Sequence, residues 1–182
     1  MLSPISFKAK YISRHQIKQR NNNNSINVNM VQIDPMSEKD IQSIRTVNSI
    51  WENGCTYADD ILDDLYEYVE TNLPHKVFLA LTTQKKDFQE LIPEKILGLG
   101  EVLTEPNSDK IKLKRLQTTP KEEYQNPKRS LTGIGKALLS GIKTMFPVNI
   151  ILESDKDAKG FYLKNGFEFI GKKKSLSMIF KH

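Results

Sequence analysis

Hydrophobic positions along the chain recur at the two spacings that distinguish helices from strands. Apolar residues three or four positions apart predict helices, and alternating or short continuous apolar runs predict strands. Four helices are expected. The first is capped by Ser37 and ends before residue 53, and the others lie at about 58–70, 132–146 and 155–165. The expected strands are 28–33, 77–82, 95–104, 110–118, 148–152, 167–170 and 176–180. Their order along the chain is β-α-α-β-β-β-α-β-α-β-β.

Length and composition favour one folded domain. The chain has 182 residues and 38% hydrophobic content, enough for one substantial core. No apolar run approaches the length of a membrane span. The single cysteine, Cys55, excludes an internal disulfide framework and fits a reducing compartment, so a cytoplasmic location is expected. Cys55 has no histidine near it in sequence, which argues against a nucleophile, and the three scattered histidines give no metal-ligand spacing.

The net charge of +5 is concentrated at the start of the chain. Residues 1–33 contain five basic residues and no acidic one, and the remainder contains 22 of each sign. A broad basic face for nucleic acid is therefore not supported. Residues 1–27 also contain the run Asn21–Asn24 and little apolar content, which predicts a disordered basic extension before a folded domain at 28–182. The same composition is typical of an organelle transit peptide, and that alternative stays open.

Two glycines, Gly133 and Gly135, open the third predicted helix directly after a strand and a loop. The first N–H groups of a helix lack internal partners and lie at the positive end of its dipole, so they attract anions. Glycine leaves the backbone accessible, and Lys128, Arg129 and Lys136 add positive charge nearby. A diphosphate suits such a site. The alternative interpretation is tight packing at an ordinary helix start.

Glu101 lies in the predicted strand 95–104, where period-two alternation puts it in line with Leu97, Leu99 and Leu103. If it is buried, its pKa is raised and it suits a general base. The alternative is that Glu101 lies at the wet end of the strand. Gly98 and Gly100 in the same strand indicate a close approach of backbone to a neighbour.

The predicted helix 58–70 carries six acidic residues on the side opposite its apolar stripe. Charge on that side is what a solvated helix face needs, and we favour that interpretation. A role in attracting a cationic substrate is the alternative.

Two segments in this order resemble the GNAT superfamily of acyl-coenzyme A N-acetyltransferases: Gly133-Ile134-Gly135-Lys136-Ala137-Leu138-Leu139 and Ala158-Lys159-Gly160-Phe161-Tyr162-Leu163-Lys164-Asn165-Gly166-Phe167. The resemblance covers about residues 28–182. It implies an α/β fold of the α+β type, with a mixed, largely antiparallel central sheet of about six to seven strands flanked by about four helices. It also implies acetyl-CoA as cosubstrate.

The resemblance assigns roles to particular residues. In the family, Gln/Arg-x-x-Gly-x-Gly/Ala binds the coenzyme diphosphate, and Ser130 replaces the usual Gln or Arg here, with Arg129 next to it as a substitute. Asp155 stands where the family commonly has asparagine. The cofactor-binding residues implied are Gln117, Arg129, Ser130, Leu131, Thr132, Gly133, Ile134, Gly135, Lys136 and Asp155.

The chemistry implied is transfer of an acetyl group to a primary amine by direct attack in a ternary complex. Glu101 is the expected base and Tyr162 the acid that protonates the departing thiolate. The acceptor, a small molecule or a protein amine, is not identified by the sequence. The alternative is a non-catalytic acyl-CoA-binding or regulatory module of the same fold. A homodimer through the last strands is a further expectation, and neither a membrane nor a nucleic acid is expected as a partner.

Overall fold

One mixed β-sheet runs through the described residues of the computed structural model, which are 8–51, 56–71, 75–123, 125–172 and 175–182. The strands are β1 (Lys10–Gln19), β2 (Ser25–Ile33), β3 (Lys76–Thr82), β4 (Ile96–Thr104), β5 (Lys110–Thr118), β6 (Leu131–Thr132), β7 (Asn149–Glu153), β8 (Glu168–Phe169) and β9 (Ser177–Phe180). The helices are α1 (Glu38–Ile50), α2 (Thr56–Thr71), α3 (Ile134–Met145) and α4 (Lys159–Lys164). The fold class expected from the sequence is confirmed, although the described part of the sheet has nine strands where six to seven were expected.

The strand order in the sheet is β6-β1-β2-β3-β4-β5-β7-β9-β8. Every neighbouring pair is antiparallel except β5 and β7, which run parallel and are joined through β6 and α3. Parallel neighbours need a crossover connection, and the segment containing α3 supplies it.

Two hydrophobic clusters cover the two faces of the sheet. Successive residues of a strand point to opposite faces, so Phe78 and Ala80 pack with α1 and α2, whereas Leu79 and Leu81 pack with α3. The aromatic residues Tyr162 and Phe167 belong to the α3 side. Both faces of the sheet are therefore covered by helices.

The start of the chain corrects one prediction. Residues 10–27 are part of the sheet and are not a disordered extension: β1 pairs with β2 from Lys10↔Gln32 to Lys18↔Ser25, and Ile17 is only 1% exposed. The asparagine run forms the turn between these strands, with Asn23 at φ 58°. The prediction was wrong because β1 has few apolar residues, as expected for a strand near the edge of a sheet. The folded domain begins before residue 28, and residues 1–7 lie outside the described part.

Two bulges change which side chains share a face. Leu97 is the extra residue where the β3–β4 register shifts, so it packs on the α3 side and not with Leu99 and Glu101 on the α1 and α2 side as predicted. A second shift, at Lys114, leaves Leu113 facing α3 while Arg115 contacts α2. Period-two alternation fails wherever a bulge adds a residue.

Local signals at the helix ends agree with the sequence. Ser37 caps α1 by accepting the backbone N–H of Asp40, as predicted. Gly166 ends the α4 region with φ +85°, a left-handed conformation that glycine adopts without strain. Of the described helices, none combines the length and the hydrophobicity needed to cross a membrane.

Candidate active site

The parallel strands β5 and β7 are paired over only four residues. The pairing runs from Lys110↔Asn149 to Leu113↔Leu152. Beyond it, β5 continues to Thr118 along β4, whereas β7 ends at Glu153. The sheet therefore opens between β5 and β7, and we call this opening the split.

The backbone of β5 presents polar groups to the split. Thr119 donates its N–H to Leu97 O of β4 at 2.9 Å. Because hydrogen-bonded and non-hydrogen-bonded pairs alternate in an antiparallel ladder, the N–H and C=O groups of Leu116 and Thr118 point away from β4. They face the side where β7 has ended. Such groups suit an extended, amide-containing ligand that lies along a strand edge.

Helix α3 begins at the mouth of the split. Its N-cap, Gly133, has φ +91° and makes no side-chain capping hydrogen bond. A Cβ on Gly135 would lie 3.3 Å from the ring of Phe161 and 3.8 Å from the methyl of Thr118, so the first turn of α3 lies between the end of β5 and α4. Glycine is thus required at 133 by conformation and favoured at 135 by packing. The interpretation of the glycines as tight packing is therefore correct for Gly135. This packing places the N-terminus of α3 at the split.

The turn that precedes α3 is held by Glu122, a residue that no sequence motif indicates. Glu122 accepts the backbone N–H groups of Ser130 at 2.7 Å and Leu131 at 2.6 Å, together with the Ser130 hydroxyl at 2.7 Å. Ser130 and Leu131 therefore bind the protein's own carboxylate. Of the other predicted coenzyme residues, Thr132 is half-buried beside β1, Ile134 is buried in the core, Arg129 is half-buried and Lys136 is exposed.

Gln117 lies on the other face of the sheet from the first turn of α3. Its side-chain amide donates to Thr118 O at 3.0 Å and to Glu123 Oε1 at 2.9 Å. It thus fixes the beginning of the loop that follows β5.

Tyr162 lies on α4, directly after Phe161, whose ring contacts Gly135 in the first turn of α3, and it is 9% exposed. Its ring packs edge-on against Phe161 at 5.0 Å and Phe167 at 5.4 Å. Burial, followed by the charges of Tyr57 and Asp155, raises the pKa of Tyr162 to about 12. The phenol therefore stays protonated at neutral pH, as a proton donor must.

Asp155 follows β7 and is bound to Tyr57 at the beginning of α2. The Tyr57 hydroxyl donates to Asp155 Oδ2 at 2.5 Å, and this hydrogen bond is the main cause that raises the pKa of Tyr57 to about 12. The contact joins the two helical layers at the mouth of the split. Tyr57 was not predicted from the sequence, and because it is 98 residues from Asp155 no local signal indicates the pair.

Glu101 is fully buried, at 0% exposure, so the buried interpretation of this residue is correct and the wet-end alternative is wrong. Burial raises the pKa of Glu101, and the neighbouring guanidinium of Arg115 opposes this increase. Arg115 Nη1 donates to Glu101 Oε2, and Lys114 Nζ lies 3.3 Å from Glu101 Oε1. The carboxylate is therefore inside an ion-pair network.

The same network involves one side of α2. Asp64 is 14% exposed and is bound by Lys76 at 2.9 Å and Lys114 at 2.5 Å, and Asp60 is bound by Arg115 at 3.2 Å. Burial alone would raise the pKa of Asp64, but these hydrogen bonds hold it below its ordinary range. The solvated-face interpretation fits the exposed Asp59 and Asp63 but is wrong for Asp60 and Asp64.

The structure brings the predicted residues together only in part. Tyr162, Asp155 and Gly135 surround the mouth of the split, while Glu101 lies beneath α2 on the other face of the sheet. Tyr57 is hydrogen-bonded to Asp155, which raises its pKa, and the positive charge of Arg115 opposes this increase. Within the described ranges, no group of three or more metal-ligating side chains occurs, and Cys55 lies outside them.

The sequence matches no family model and no curated protein. Solved structures match over most of the chain. The PaiA N-acetyltransferase from Thermoplasma acidophilum, in complex with coenzyme A, is 18% identical with a TM-score of 0.51, covering 85% of this chain and 99% of its own. A protein described as an acetyltransferase of the GNAT family, from Desulfovibrio desulfuricans, is 14% identical with a TM-score of 0.54, covering 84% and 94%. A mutant AtaT toxin, bound to the C-terminus of the antitoxin AtaR and to acetyl-CoA, is 13% identical with a TM-score of 0.54, covering 85% and 92%.

The chain has the GNAT fold. The resemblance stated from two short motifs is thereby confirmed at the level of fold. Within this GNAT fold the N-terminal strand β1 and the short strand β6 extend the sheet beyond the elements predicted from the sequence.

Proposed function

We propose that this chain is an acetyl-CoA-dependent N-acetyltransferase that acts on a primary amine by direct attack in a ternary complex. One observation carries the proposal: the first turn of α3, which begins at Gly133 without a side-chain cap, lies between the end of β5 and α4 at the mouth of the split. The bound coenzyme A of the PaiA protein and the acetyl-CoA of the AtaT toxin, which share this fold, support the choice of ligand.

The residues around the split fit such a ligand. The N–H groups from Gly133 to Lys136 are the orphan donors of a helix start and suit a diphosphate. The outward-facing N–H and C=O groups of Leu116 and the N–H of Thr118 suit the amides of a pantetheine arm, whereas the carbonyl of Thr118 already accepts from the Gln117 side chain. Lys136 is exposed beside the turn, and Arg129 is half-buried next to it, so both are proposed to add positive charge there.

The acetyl transfer requires a base and an acid. An amine with a pKa of about 10.4 must lose a proton before its nitrogen attacks the thioester carbonyl. Glu101, directly or through water, is the proposed proton acceptor, and its raised pKa favours this role. The C–N bond then forms, the C–S bond breaks, and Tyr162 donates its proton to the thiolate. The nitrogen loses a second proton as it becomes an amide, and this proton restores the phenol of Tyr162, so the one net proton is carried by Glu101 and passes to solvent. A backbone N–H of β5 at the split is proposed to stabilise the oxyanion formed in between.

Binding is the first test. Calorimetric titration of acetyl-CoA into the full chain is expected to give micromolar affinity that is lost in Gly135→Glu, because the added carboxylate repels the diphosphate and crowds the Phe161 ring. Ser140→Glu is the matched control, since it adds the same charge at an exposed position of the same helix. Absence of binding by the wild type would contradict the proposal.

A non-catalytic coenzyme-binding module is the second candidate, and one observation favours it. Arg115 and Lys114 already occupy the Glu101 carboxylate, which opposes its use as a base. Assay of the coenzyme-binding protein against a panel of primary amines separates the two functions. Turnover that is lost in Glu101→Gln supports the enzyme, and binding without turnover on every amine supports the module.

A further inference from the structure

The segment from Ser130 to Thr132 is held along both of its edges. On one edge it pairs with β1, where Arg20 N donates to Ser130 O at 2.8 Å and Lys18 lies opposite Thr132. This pairing turns the carbonyl group of Ser130 and the backbone of Thr132 toward β1, so the N–H of Leu131 points to the other edge, where the N–H of Ser130 also lies. On that edge it meets the carboxylate of Glu122.

Glu122 is itself fixed to the end of β5. It closes the 3₁₀ turn Pro120–Glu122, its N–H donates to Thr119 O at 2.9 Å, and Thr119 is bound to β4. Only 8% of Glu122 is exposed. A carboxylate that accepts three hydrogen bonds from one turn forms a strong, charge-assisted anchor. The end of β5 and the beginning of α3 are therefore joined through one side chain.

The anchor holds the turn that leads directly into α3. Gly133 follows Thr132 directly, and its left-handed conformation turns the chain into the helix without help from a side-chain cap. Whatever fixes residues 130–132 therefore constrains the position of Gly133 and of the first N–H groups of α3, together with the packing of the helix on the sheet. The long loop between β5 and β6 would otherwise leave the turn free to shift.

We propose that Glu122 is a positioning residue for the coenzyme: by binding Ser130 and Leu131 it presets the turn whose following amides, from Gly133 onward, receive the diphosphate. This inference rests on the proposed function and deepens it. It also assigns Ser130 to the anchor in place of the direct coenzyme contact that the family motif implies at this position.

The change in coenzyme affinity when the Glu122 carboxylate is removed distinguishes a positioning role from competition with the ligand. A carboxylate that merely occupied amides needed by the diphosphate would compete with the ligand, and its removal would tighten binding. A positioning carboxylate gives the reverse result. Glu122→Ala removes the anchor, whereas Glu122→Gln removes the charge but keeps an oxygen for the two N–H groups and an amide that donates to the Ser130 hydroxyl oxygen.

The experiment is a titration of coenzyme A into the full-length wild type and both variants. Glu122→Ala is expected to weaken binding roughly 10- to 100-fold, the loss that corresponds to one charge-assisted hydrogen bond. Glu122→Gln is expected to bind within about threefold of the wild type, a difference well below the factor of ten that marks a lost interaction. S-acetylpantetheine, which lacks the diphosphate, is expected to bind all three proteins equally. Glu168→Ala, at the opposite edge of the sheet, controls for loss of one negative charge.

Amide hydrogen exchange at Ser130 and Leu131 provides a readout that needs no ligand. Exchange is expected to accelerate in Glu122→Ala and to stay slow in Glu122→Gln. Unchanged or tighter coenzyme binding by Glu122→Ala would overturn the positioning role while leaving the proposed function intact. A wild type that binds no coenzyme A would overturn the proposed function, and the coenzyme role of Glu122 with it.

Discussion

At the scale of single residues, Tyr162 shows how burial keeps a phenol protonated. Its ring packs against Phe161 and Phe167, and burial, followed by the charges of Tyr57 and Asp155, disfavours the phenolate. The tyrosine is therefore protonated over the whole physiological range. This protonation state is what the proposed role of Tyr162 as the acid requires.

The raised pKa of Tyr162 predicts a pH-dependent stability. The pKa is about 12 in the folded protein and about 10 when unfolded, so the stabilisation is fully present below pH 10 and is lost as pH rises towards 12. Between pH 9 and pH 11 the free energy of unfolding of the wild type is expected to fall by roughly 1 kcal/mol more than that of Tyr162→Phe. Urea unfolding of both proteins at the two pH values measures this difference. Equal losses would contradict the assigned environment.

At the scale of elements, α3 packs directly on β4 because Gly98 of that strand has no side chain. A Cβ on Gly98 would lie 2.5 Å from Leu138 Cδ1 and 3.1 Å from the carbonyl oxygen of Gln117, so the helix packs directly on the strand backbone. The close approach predicted from the two glycines of this strand is confirmed at Gly98. It brings α3 close to the sheet beside the end of β5.

Gly98→Ala is expected to destabilise the protein by about 1–3 kcal/mol, because the added methyl forces Leu138 to move in a packed core. Gly100→Ala is the matched control in the same strand, where the nearest atoms would lie 3.8 Å away, and its effect is expected to stay within about 1 kcal/mol. Denaturant unfolding of both variants gives the comparison. A Gly100 variant as damaged as the Gly98 variant would show that the contact with Leu138 of α3 is not what determines the cost.

Periodicity predicted the elements well where one side of each was buried. The stripes of α1, α2 and α3 and the apolar runs of β3 and β7 are local patterns, and they appear where expected. The site was less predictable because its contacts join distant residues: Tyr57 with Asp155, and Glu101 with Arg115 across a bulge. Glu122 gave no signal, since only the folded turn brings Ser130 to it.

At the scale of the whole molecule, the N-terminal strand is part of the sheet that carries the site. β1 contributes Ile17 to the core on the α3 side and pairs with β6 at the turn before α3. The basic, asparagine-containing composition of this segment concealed its role. The net positive charge of the chain is thus located on a hairpin that borders the proposed diphosphate site.

Ile17→Ala is expected to lower the free energy of unfolding by about 2–4 kcal/mol, as for a fully buried aliphatic side chain. Gln16→Ala, its exposed neighbour in the same strand, is expected to change stability by less than about 0.5 kcal/mol. Thermal or urea unfolding of the full chain measures both. If the segment lay outside the core, the two variants would behave alike.

The pairing of β1 with β6 sets an order of events during synthesis. The first hairpin leaves the ribosome early and forms with local contacts, but residues 131 and 132, which complete its outer edge, are translated only after β3, β4 and β5. In nascent chains stalled once β5 has emerged, the outer edge of β1 at Lys18 and Gln19 is therefore expected to be cleaved by proteases more readily than β2 and β3. The last third of the chain contains β6, which completes the outer edge of β1, and α3, whose first turn is the proposed coenzyme site. A chain that stops after β5 therefore has neither the completed edge nor the site.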